Sequence, residues 1–416
     1  MKENELSDRL RLVEEMFRLM SSRGLVHRTA EDEHADGRTV TLDGHRLIHF
    51  ASCSYLGLET DRRLKDAACQ AIERYGTQFA SSRAYLSAPL YAELESHLAQ
   101  MTGGLPVVVT QTTSLGHLAA LPVLVGERDA VLCDIKVHAS VQAVLPTLRQ
   151  MGVQCEFVQH NRIDRVESRA AELARNHRRV FYLCDGVYSM HGDLVPVDDL
   201  LALLDRQPKL FAYVDDAHGV GWAGRHGTGV VVGRRGVHQR MMVALSLAKG
   251  FASSGAALVF GDPELAKQVF TCGSTLIFSG PLQPPLLGAA IASAKIHLSD
   301  ELPALQKKLA ERIALFDALL AERGLGPRAI EASPIRFVEV GHEDRALEVA
   351  ASLRAAGYYV NVSAFPAVPR RRAGVRIVLT CHHTLGDVRG LVDELARVLP
   401  KKHHSPPSQK PPEICH

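Results

Sequence analysis

The sequence predicts an α/β protein with a mostly parallel central sheet, followed by a smaller C-terminal α+β domain. Apolar segments of strand length alternate with periodic segments long enough for crossover helices, and this pattern changes near Ile291. Ligands of such sheets bind beyond the carboxyl ends of the strands, where we expect the functional residues. The predicted strands of the sheet are 107–110, 130–133, 154–158, 180–184, 210–214, 242–245 and 256–260.

The chain divides into four predicted regions. An N-terminal arm, with a helix over 5–22 and short strands at 39–42 and 47–50, precedes the large domain. The small domain is expected to begin with a long helix from about Ala292 to Arg323. The four regions are the arm at 1–50, the large domain at 51–290, the small domain at 291–400 and a tail at 401–416.

The last hundred residues carry their own signals. Strands are predicted at 335–340, 359–362 and 376–379. Thr384 is the expected N-cap of the last helix, with Asp387 in its first turn. The tail is polar and rich in proline, so we expect it to be disordered.

The composition is typical of a globular protein, and we expect a cytoplasmic location. The chain is 46% hydrophobic and 23% charged, and its net charge of +2 gives no reason to expect nucleic acid or an anionic membrane as partner. No apolar run reaches the ~18 residues that span a bilayer, and the N-terminal segment lacks the apolar core of a secretory signal. The eight cysteines include no CxxC motif, so we expect them to be reduced.

Lys249 is the first candidate for catalysis. A strand-like run ends just before it, and the small residues Gly250, Ala252, Ser253 and Ser254 surround the turn that follows. A lysine on such a turn can approach a cofactor closely. Together with an acid at the end of the preceding strand, it suggests a Schiff base with pyridoxal phosphate. Alone, the same lysine could be a surface charge at the end of a strand.

Asp215 and His218 follow the apolar strand that precedes the lysine strand. A carboxylate at Asp215 could pair with the protonated pyridine nitrogen of the cofactor and keep its ring cationic. The alternative is an aspartate that caps a turn. His218 could donate to the phenolic oxygen of the cofactor, or it could be a core histidine with its hydrogen bonds satisfied.

A hydroxyl-rich turn, Thr112, Thr113 and Ser114, lies between a predicted strand and a predicted helix. Unpaired amides at a helix N-terminus, together with hydroxyl groups, form a phosphate site. The alternative is an ordinary N-cap, which needs only one of the three hydroxyls. Ser246, three residues before Lys249, could add a further phosphate contact.

His138 is a candidate for stacking on the cofactor ring, and Arg376 is a candidate for binding the substrate carboxylate. His138 follows a predicted strand and could stack on the cofactor ring, although a histidine in a surface loop is the alternative. Arg376 is a charge inside an apolar strand, where it needs a partner. Its planar guanidinium suits a substrate carboxylate, and a structural ion pair is the alternative.

These segments, in this order, resemble the α-oxoamine synthases. This family of fold-type I pyridoxal phosphate enzymes, which have the aspartate aminotransferase-like fold, includes 8-amino-7-oxononanoate synthase, 2-amino-3-ketobutyrate ligase, 5-aminolevulinate synthase and serine palmitoyltransferase. The likeness runs from about Phe50 to Leu399. It is strongest in Ser54-Tyr-Leu-Gly-Leu58, His138-Ala-Ser140, Asp185-Gly-Val-Tyr-Ser-Met190 with Gly192-Asp193, Asp215-Asp-Ala-His-Gly219, and Lys249 with its flanks.

The resemblance implies pyridoxal 5'-phosphate as the cofactor and a role for each candidate residue. Lys249 would hold the cofactor and move the α-proton of the substrate, while Asp215 pairs with the pyridine nitrogen. The other implied contacts are His138 and Ala217 on the two faces of the ring, His218 and Ser189 at the phenolic oxygen, Thr112, Thr113, Ser114 and Ser246 around the phosphate, and Arg376 at the carboxylate of the amino acid.

The implied reaction is a decarboxylative Claisen-type condensation. An amino acid would be acylated by a thioester, on coenzyme A or an acyl carrier protein, to give an α-amino ketone. The resemblance also implies a homodimer with active sites at the subunit interface. The chain departs from the family pattern at Ser52-Cys53-Ser54, Ser114, Arg83–Tyr91, Ser279-Gly280 and His191, which favours a specialised biosynthetic member.

Other functions would use the same residues differently. Transamination or aldol cleavage would release a keto acid or an aldehyde without an acyl thioester. A non-catalytic partner subunit is a third alternative, against which the presence of Lys249 argues. A metal site could use His382-His383, or His403-His404 with Cys415 and His416, but adjacent histidines fit the spacing of metal ligands poorly, so we predict no metal.

Overall fold

A computed structural model describes residues 8–325 and 332–399. The strands, in chain order, are β1 (Thr39–Leu42), β2 (His45–His49), β3 (Val107–Thr110), β4 (Ala130–Asp134), β5 (Gln154–Val158), β6 (Val180–Asp185), β7 (Leu210–Asp215), β8 (Met241–Ser246), β9 (Ala256–Phe260), β10 (Ile335–Gly341), β11 (Tyr358–Tyr359), β12 (Asn361–Ser363) and β13 (Ala373–Val378).

Fifteen α-helices surround these strands in the described part of the chain. They are α1 (Asp8–Ser22), α2 (Arg62–Tyr75), α3 (Pro89–Met101), α4 (Thr113–Leu124), α5 (Ala139–Gln142), α6 (Leu145–Gln150), α7 (Ile163–Leu173), α8 (Val197–Arg206), α9 (Gly229–Arg235), α10 (Pro263–Cys272), α11 (Ser274–Phe278), α12 (Pro284–His297), α13 (Glu301–Glu322), α14 (Glu343–Ala355) and α15 (Leu385–Val398).

A seven-stranded sheet forms the centre of the molecule, in the order β3-β9-β8-β7-β6-β4-β5. All its strands run parallel except β9, which is antiparallel to both neighbours. Strands β4, β6, β8 and β9 are buried along their whole length, because helices cover both faces of the sheet. The seven predicted strands are confirmed, each within one residue at either end.

Two smaller sheets lie outside the central one. Strands β10, β13 and β12 form an antiparallel sheet that packs against α14. In the other small sheet, β11 pairs in parallel with β2 and so joins the C-terminal part of the chain to its N-terminal part. The ion pair between Arg38 and Asp387, with an N–O distance of 2.6 Å, strengthens the same connection.

Two predictions for the C-terminal part were wrong. The single helix expected from Ala292 to Arg323 is two helices, because the chain turns between His297 and Glu301. The hydroxyl of Ser299 bonds to the carbonyl of Ile296 and accepts the amide of Glu301, so it ends one helix and begins the next.

The strand predicted at 359–362 is also divided. Tyr358 and Tyr359 pair with β2, whereas residues 361–363 pair with β13 in a different sheet. The strand predicted at 376–379 is longer and begins at Ala373. The first two residues extend the sheet of β2 and the last three extend the sheet of β13. The apolar pattern of this one stretch could not indicate that it divides between two sheets.

The ends of the chain agree with prediction where they are described. The arm helix begins at Asp8, and residues 5–7 and the tail predicted to be disordered lie outside the described residues. Thr384 and Asp387 form a capping box, in which the hydroxyl of Thr384 accepts the amide of Asp387 and the carboxylate of Asp387 accepts the amide of Thr384. The seven cysteines in the described ranges are free thiols. None of the helices described is long and apolar enough to cross a membrane.

Candidate active site

Three neighbouring strands end at the same place and carry the central residues of the site. Asp185 ends β6, Asp215 ends β7 and Ser246 ends β8. Asp185 and Asp215 are direct partners in the parallel register, so their carboxylates are neighbours. Because these strands are parallel and adjacent, their carboxyl ends form one edge of the sheet. Lys249 follows Ser246 by three residues and lies at this edge.

The turn that carries Lys249 is closed by backbone hydrogen bonds. The amide of Ser253 bonds to the carbonyl of Leu247, and the amide of Ala252 bonds to that of Ala248. A Cβ at Gly250 would collide with the carbonyl of Val220, so glycine is required there. Burial lowers the pKa of Lys249, although the nearby carboxylate of Asp215 opposes this shift. The amine is therefore closer to its nucleophilic, neutral form than an exposed lysine.

Asp215 is held by a histidine that the sequence prediction missed. Its Oδ2 lies 3.0 Å from Nε2 of His117, and its Oδ1 accepts the amide of Ala217 at 3.1 Å. The other ring nitrogen of His117 lies 2.8 Å from the hydroxyl of Tyr213. Burial alone would raise the pKa of Asp215, but the charges of His117 and Lys249 outweigh it and hold that pKa low.

The signal for His117 was present but incomplete. This residue is a fully buried histidine in α4, a helix that is otherwise apolar after its first two residues. Such a histidine needs a polar partner. Its partners are Tyr213 and Asp215, which lie about a hundred residues later in the chain, so the sequence alone could not identify them.

His218 is oriented by a second residue to which the sequence assigned no role. The hydroxyl of Tyr55 lies 2.6 Å from Nδ1 of His218, and both residues are buried. Burial, reinforced by the positive charge of Lys249, lowers the pKa of His218. The imidazole is therefore neutral, and among the described residues Nε2 has no hydrogen-bond partner. This nitrogen is available to a ligand, and its contact with the cofactor stays a prediction.

The turn at Thr112, Thr113 and Ser114 has the features of an anion site. Thr112 is the N-cap of α4, and its hydroxyl accepts the amide of Leu115 at 3.1 Å. Within the ranges described, the amides and hydroxyls of Thr113 and Ser114 make no hydrogen bond, so they are available to a bound anion.

Ser246 lies beside this turn. It pairs in register with Ala256 of β9, and Thr110, two residues before the turn, pairs with the same Ala256 from the other side. The strand order thus brings the serine and the turn to one edge, as the sequence predicted. The hydroxyl of Ser246 accepts the amide of Ala248 at 3.2 Å.

His138 is fixed at the same edge by its backbone. Its amide donates to Oδ1 of Asp185 at 3.0 Å, and its Nδ1 lies 2.7 Å from the hydroxyl of Ser140. Burial lowers the pKa of His138. The negative charge of Asp215 opposes this shift, and the positive charge of Lys249 adds to it. Ala217, the predicted contact on the opposite ring face, is buried two residues after Asp215.

Arg376 lacks the partner that a structural ion pair would need. The guanidinium is buried, yet no carboxylate in the described residues lies within ion-pair distance. Its Nε donates to the carbonyl of Ser189 at 2.6 Å, and its Nη2 lies 3.6 Å from Sγ of Cys53. Its positive charge contributes to lowering the pKa of both His218 and Lys249. A buried cation in this position favours an anionic ligand.

The histidines considered for a metal site have other partners. His382 Nε2 lies 2.9 Å from the carboxylate of Glu59. His383 accepts the amide of Thr380 through Nδ1, and its ring stacks on that of Phe50 with centroids 3.9 Å apart. The other candidates, His403, His404, Cys415 and His416, lie outside the described residues.

The donor set of the site fits pyridoxal phosphate. Asp215 offers a buried anion for a cationic pyridine nitrogen, and the N-terminus of α4 offers free amides and hydroxyls for a phosphate. Lys249 offers an amine for the aldehyde, and Nε2 of His218 is free for the phenolic oxygen. Fold and site together define a fold-type I enzyme that depends on pyridoxal phosphate.

Comparison with known proteins places the chain in a family. The profile of the aminotransferase class I and II family matches residues 45–395. The chain is 32% identical over 382 residues to 8-amino-7-oxononanoate synthase of Maricaulis maris, covering 91% of this chain and 94% of that protein. It is also 32% identical over 389 residues to the enzyme of that name from Symbiobacterium thermophilum, covering 93% and 97%.

Solved structures support the same fold. A serine palmitoyltransferase from S. paucimobilis superposes with a TM-score of 0.85 at 21% identity, covering 95% of this chain and 98% of that one. The Sphingomonas wittichii serine palmitoyltransferase also gives 0.85 at 21% identity, covering 96% and 100%. The chain belongs to the α-oxoamine synthases within the aminotransferase class I and II family. The predicted family, fold class, cofactor and reaction class, condensation of an amino acid with an acyl thioester, are thereby confirmed.

Proposed function

We propose that the chain acylates the α-carbon of an amino acid with an acyl thioester, releasing a thiol, carbon dioxide and an α-amino ketone. Arg376 carries this proposal. It is a buried guanidinium without a carboxylate partner in the described residues, and its positive charge contributes to lowering the pKa of Lys249. A carboxylate bound there would hold an amino acid with its α-carbon near the amine that removes the proton.

When bound, pyridoxal phosphate supplies an electron-withdrawing ring that stabilises negative charge at the α-carbon of the substrate. Asp215 keeps the pyridine nitrogen protonated, because its own pKa is held low. His117 and Tyr213 fix the orientation of that carboxylate. The turn at Thr112, Thr113 and Ser114, together with Ser246, holds the phosphate.

The proton transfers fall to Lys249. Because burial lowers its pKa, Nζ can accept the α-proton near neutral pH. His218 remains neutral and donates through Nε2, since Tyr55 occupies its other nitrogen. His138 and Ala217 would contact the ring from opposite faces, and Ser189 would approach the phenolic oxygen.

The acyl thioester enters past an exposed basic loop. Residues 364–372 connect β12 to β13, the strand of Arg376, and Ser363 just before the loop contacts the sulfur of Met190. In the described chain, the guanidinium groups of Arg370 and Arg371 pair with no carboxylate. Both are exposed, which suits the phosphate groups of coenzyme A or of the prosthetic arm of a carrier protein.

The chain forms a homodimer in this proposal. Tyr85 and Phe278 are 87% and 86% exposed, and Leu86 is also exposed. Their two segments are adjacent, because the hydroxyl of Ser82 bonds to the carbonyl of Ile277 at 2.6 Å. Exposed aromatic clusters of this kind are typical of protein interfaces. We infer a cytoplasmic location, which the free cysteines support, and a role in a specialised biosynthetic pathway.

A substrate screen tests the reaction. The protein loaded with pyridoxal phosphate is mixed with single amino acids and with acyl thioesters on coenzyme A or a carrier protein. Release of free thiol and carbon dioxide should require both substrates. Release of a keto acid or an aldehyde without thioester would instead establish transamination or aldol cleavage. Absence of any bound cofactor would revive the role of a non-catalytic subunit.

A further inference from the structure

His160 lies outside the predicted site but connects two of its loops. It follows β5, the edge strand, and its side chain is 18% exposed. Its Nδ1 lies 3.1 Å from Oδ1 of Asp134, the last residue of β4. Its Nε2 is hydrogen-bonded to Oδ2 of Asp193, in the loop that follows β6.

This double contact determines the charge state of the ring. A neutral imidazole has one donor and one acceptor nitrogen, so it can satisfy only one of two carboxylates. With a carboxylate at each nitrogen, both must donate, and the ring is an imidazolium. Burial lowers the pKa of His160, but its bonds to Asp134 and Asp193 outweigh that effect and raise it.

The Asp134 side of the contact organises the loop that carries His138. The carboxylate of Asp134 accepts the amide of Lys136 at 2.8 Å and that of Asn161 at 2.9 Å. The carbonyl of Asp134 accepts the amide of Val137, the residue before His138. The turn that presents His138 to the site is therefore held by Asp134, through both its carboxylate and its carbonyl.

The Asp193 side organises the loop that carries Ser189. The amide of Tyr188 bonds to the carbonyl of Asp193 at 2.9 Å, which closes the loop around Ser189. The side chain of Asn161 bonds to the carbonyl of Leu194 at 2.8 Å, and the ring of His160 packs edge-on against that of Tyr188. The carbonyl of Ser189 in turn receives Arg376, so the loop also positions the predicted carboxylate-binding group.

We propose that the His160 imidazolium is a positioning residue that holds the His138 loop and the Ser189 loop together in the geometry that binds the amino acid. The inference rests on the proposed function, because it assigns His138, Ser189 and Arg376 to the cofactor and the substrate. His160 itself contacts neither and acts through Asp134 and Asp193.

The contact is sensitive to pH in one direction. The charged groups that face the ring are Asp134 from β4 and Asp193 from the loop, with Lys136 4.0 Å from Asp193. Tyr182 on β6 donates its hydroxyl to Asp134, and the ring of Tyr188 packs on His160. Since the pKa of His160 is raised in the folded protein, the double contact is complete below that pKa and is lost as the pH rises through it.

The test compares His160→Gln with His238→Gln. Glutamine offers one donor and one acceptor, so it can serve only one of the two carboxylates. His238 also faces a carboxylate, Asp205 at 3.4 Å, but lies outside both loops. In His160→Gln the KM for the amino acid should rise on the order of tenfold at low pH, as expected for one lost charged hydrogen bond. In the wild type and in His238→Gln, KM should rise to a similar value only as the pH increases.

Overlapping KM–pH profiles for His160→Gln and the wild type would overturn the proposal. If His160→Gln does not fold, Asp193→Asn removes the partly exposed carboxylate and should flatten the same profile. A second readout is independent of the reaction. In the purified protein labelled with 13C-histidine, the resonance missing from His160→Gln should titrate above the ordinary histidine range, and it should titrate at a lower pH in Asp193→Asn than in the wild type. Titration at or below the ordinary value in the wild type would refute the imidazolium even if the proposed reaction is wrong.

Discussion

The cofactor side and the substrate side of the site are built from different kinds of backbone. On the cofactor side, Asp215, Ser246 and Lys249 lie at or just beyond the ends of adjacent buried strands. On the substrate side, Arg376 bonds to the carbonyl of Ser189 in the loop at 186–194, and the loop at 364–372 leads into its strand. Strand ends fix the chemistry, whereas loops can change from one family member to another without disturbing it.

The largest effect is expected on the cofactor side. Lys249→Ala should reduce the rate of thiol release by about 10³-fold or more, within the range that a positioned base contributes. The variant should also lose the visible absorbance of covalently held cofactor, which is measured by spectrophotometry after dialysis. Lys295→Ala, which changes an exposed lysine paired with Glu93, is the control and should behave as the wild type. Retention of covalent cofactor in Lys249→Ala would remove the basis of the assignment.

Arg376 tests the substrate side. Arg376→Gln should raise the KM for the amino acid on the order of 100-fold, about 2.7 kcal/mol, because a charged bidentate contact is lost. The affinity for pyridoxal phosphate should change little, since Arg376 is assigned to the substrate. Arg336→Gln, another buried arginine of the same small sheet but bound to Asp317, is the matched control for stability. An unchanged KM in a folded Arg376→Gln protein would assign the carboxylate to another group.

The sequence indicated that Asp215, His218 and Lys249 would lie together beyond the strand ends, because these three residues are close in the chain, and their contacts with the cofactor stay predictions. Asp215, His218 and Lys249 lie within about 35 residues, and each follows a recognisable apolar strand. The sequence missed His117, Tyr55 and His160, because each is defined by a partner that the fold supplies from a distant segment. For the same reason the strand at 358–363, which divides between two sheets, was predicted as one.

Two adjacent aspartates on the cofactor side have pKa values shifted in opposite directions. Asp215 is held ionised by His117, whereas burial raises the pKa of Asp216 to about 8, with the charge of Asp215 adding to the shift. Asp216 Oδ2 accepts the amide of Val231, but Oδ1 has no partner among the described residues. The two side chains leave the strand in opposite directions, so one faces the site and the other faces the packed glycines Gly186, Gly219 and Gly229.

The folded protein therefore holds a proton on Asp216 that the unfolded chain loses at lower pH. With the folded pKa above the unfolded one, the stability that this group contributes falls as the pH rises from about 4 to about 8. Asp216→Asn should remove this decline, which amounts to about 1.4 kcal/mol for each pH unit, in urea unfolding at several pH values. Asp205→Asn, an exposed acid, is the control. A parallel decline in wild type and Asp216→Asn would show that the burial penalty is relieved in another way.

The smallest effect is expected at the basic loop. Replacing Arg370 and Arg371 with glutamate should raise the KM for the acyl thioester by about three- to tenfold, because exposed charges each contribute under about 1 kcal/mol. The effect should shrink as salt increases, since the Debye length falls below ~10 Å above 0.1 M. Steady-state kinetics at two salt concentrations measure both.

The outcome also separates the two carriers. Arg175→Glu, which changes an exposed arginine just after α7, controls for overall charge. If the double variant raises the KM for thioesters of coenzyme A and of a carrier protein equally, the loop binds the phosphate group that both share. If the KM rises only for the carrier-protein substrate, the loop contacts the surface of the carrier protein. That result would agree with a substrate side formed by loops. If the KM for neither thioester changes, the thioester enters elsewhere. The contrast between strand ends on the cofactor side and loops on the substrate side would then not include binding of the acyl carrier.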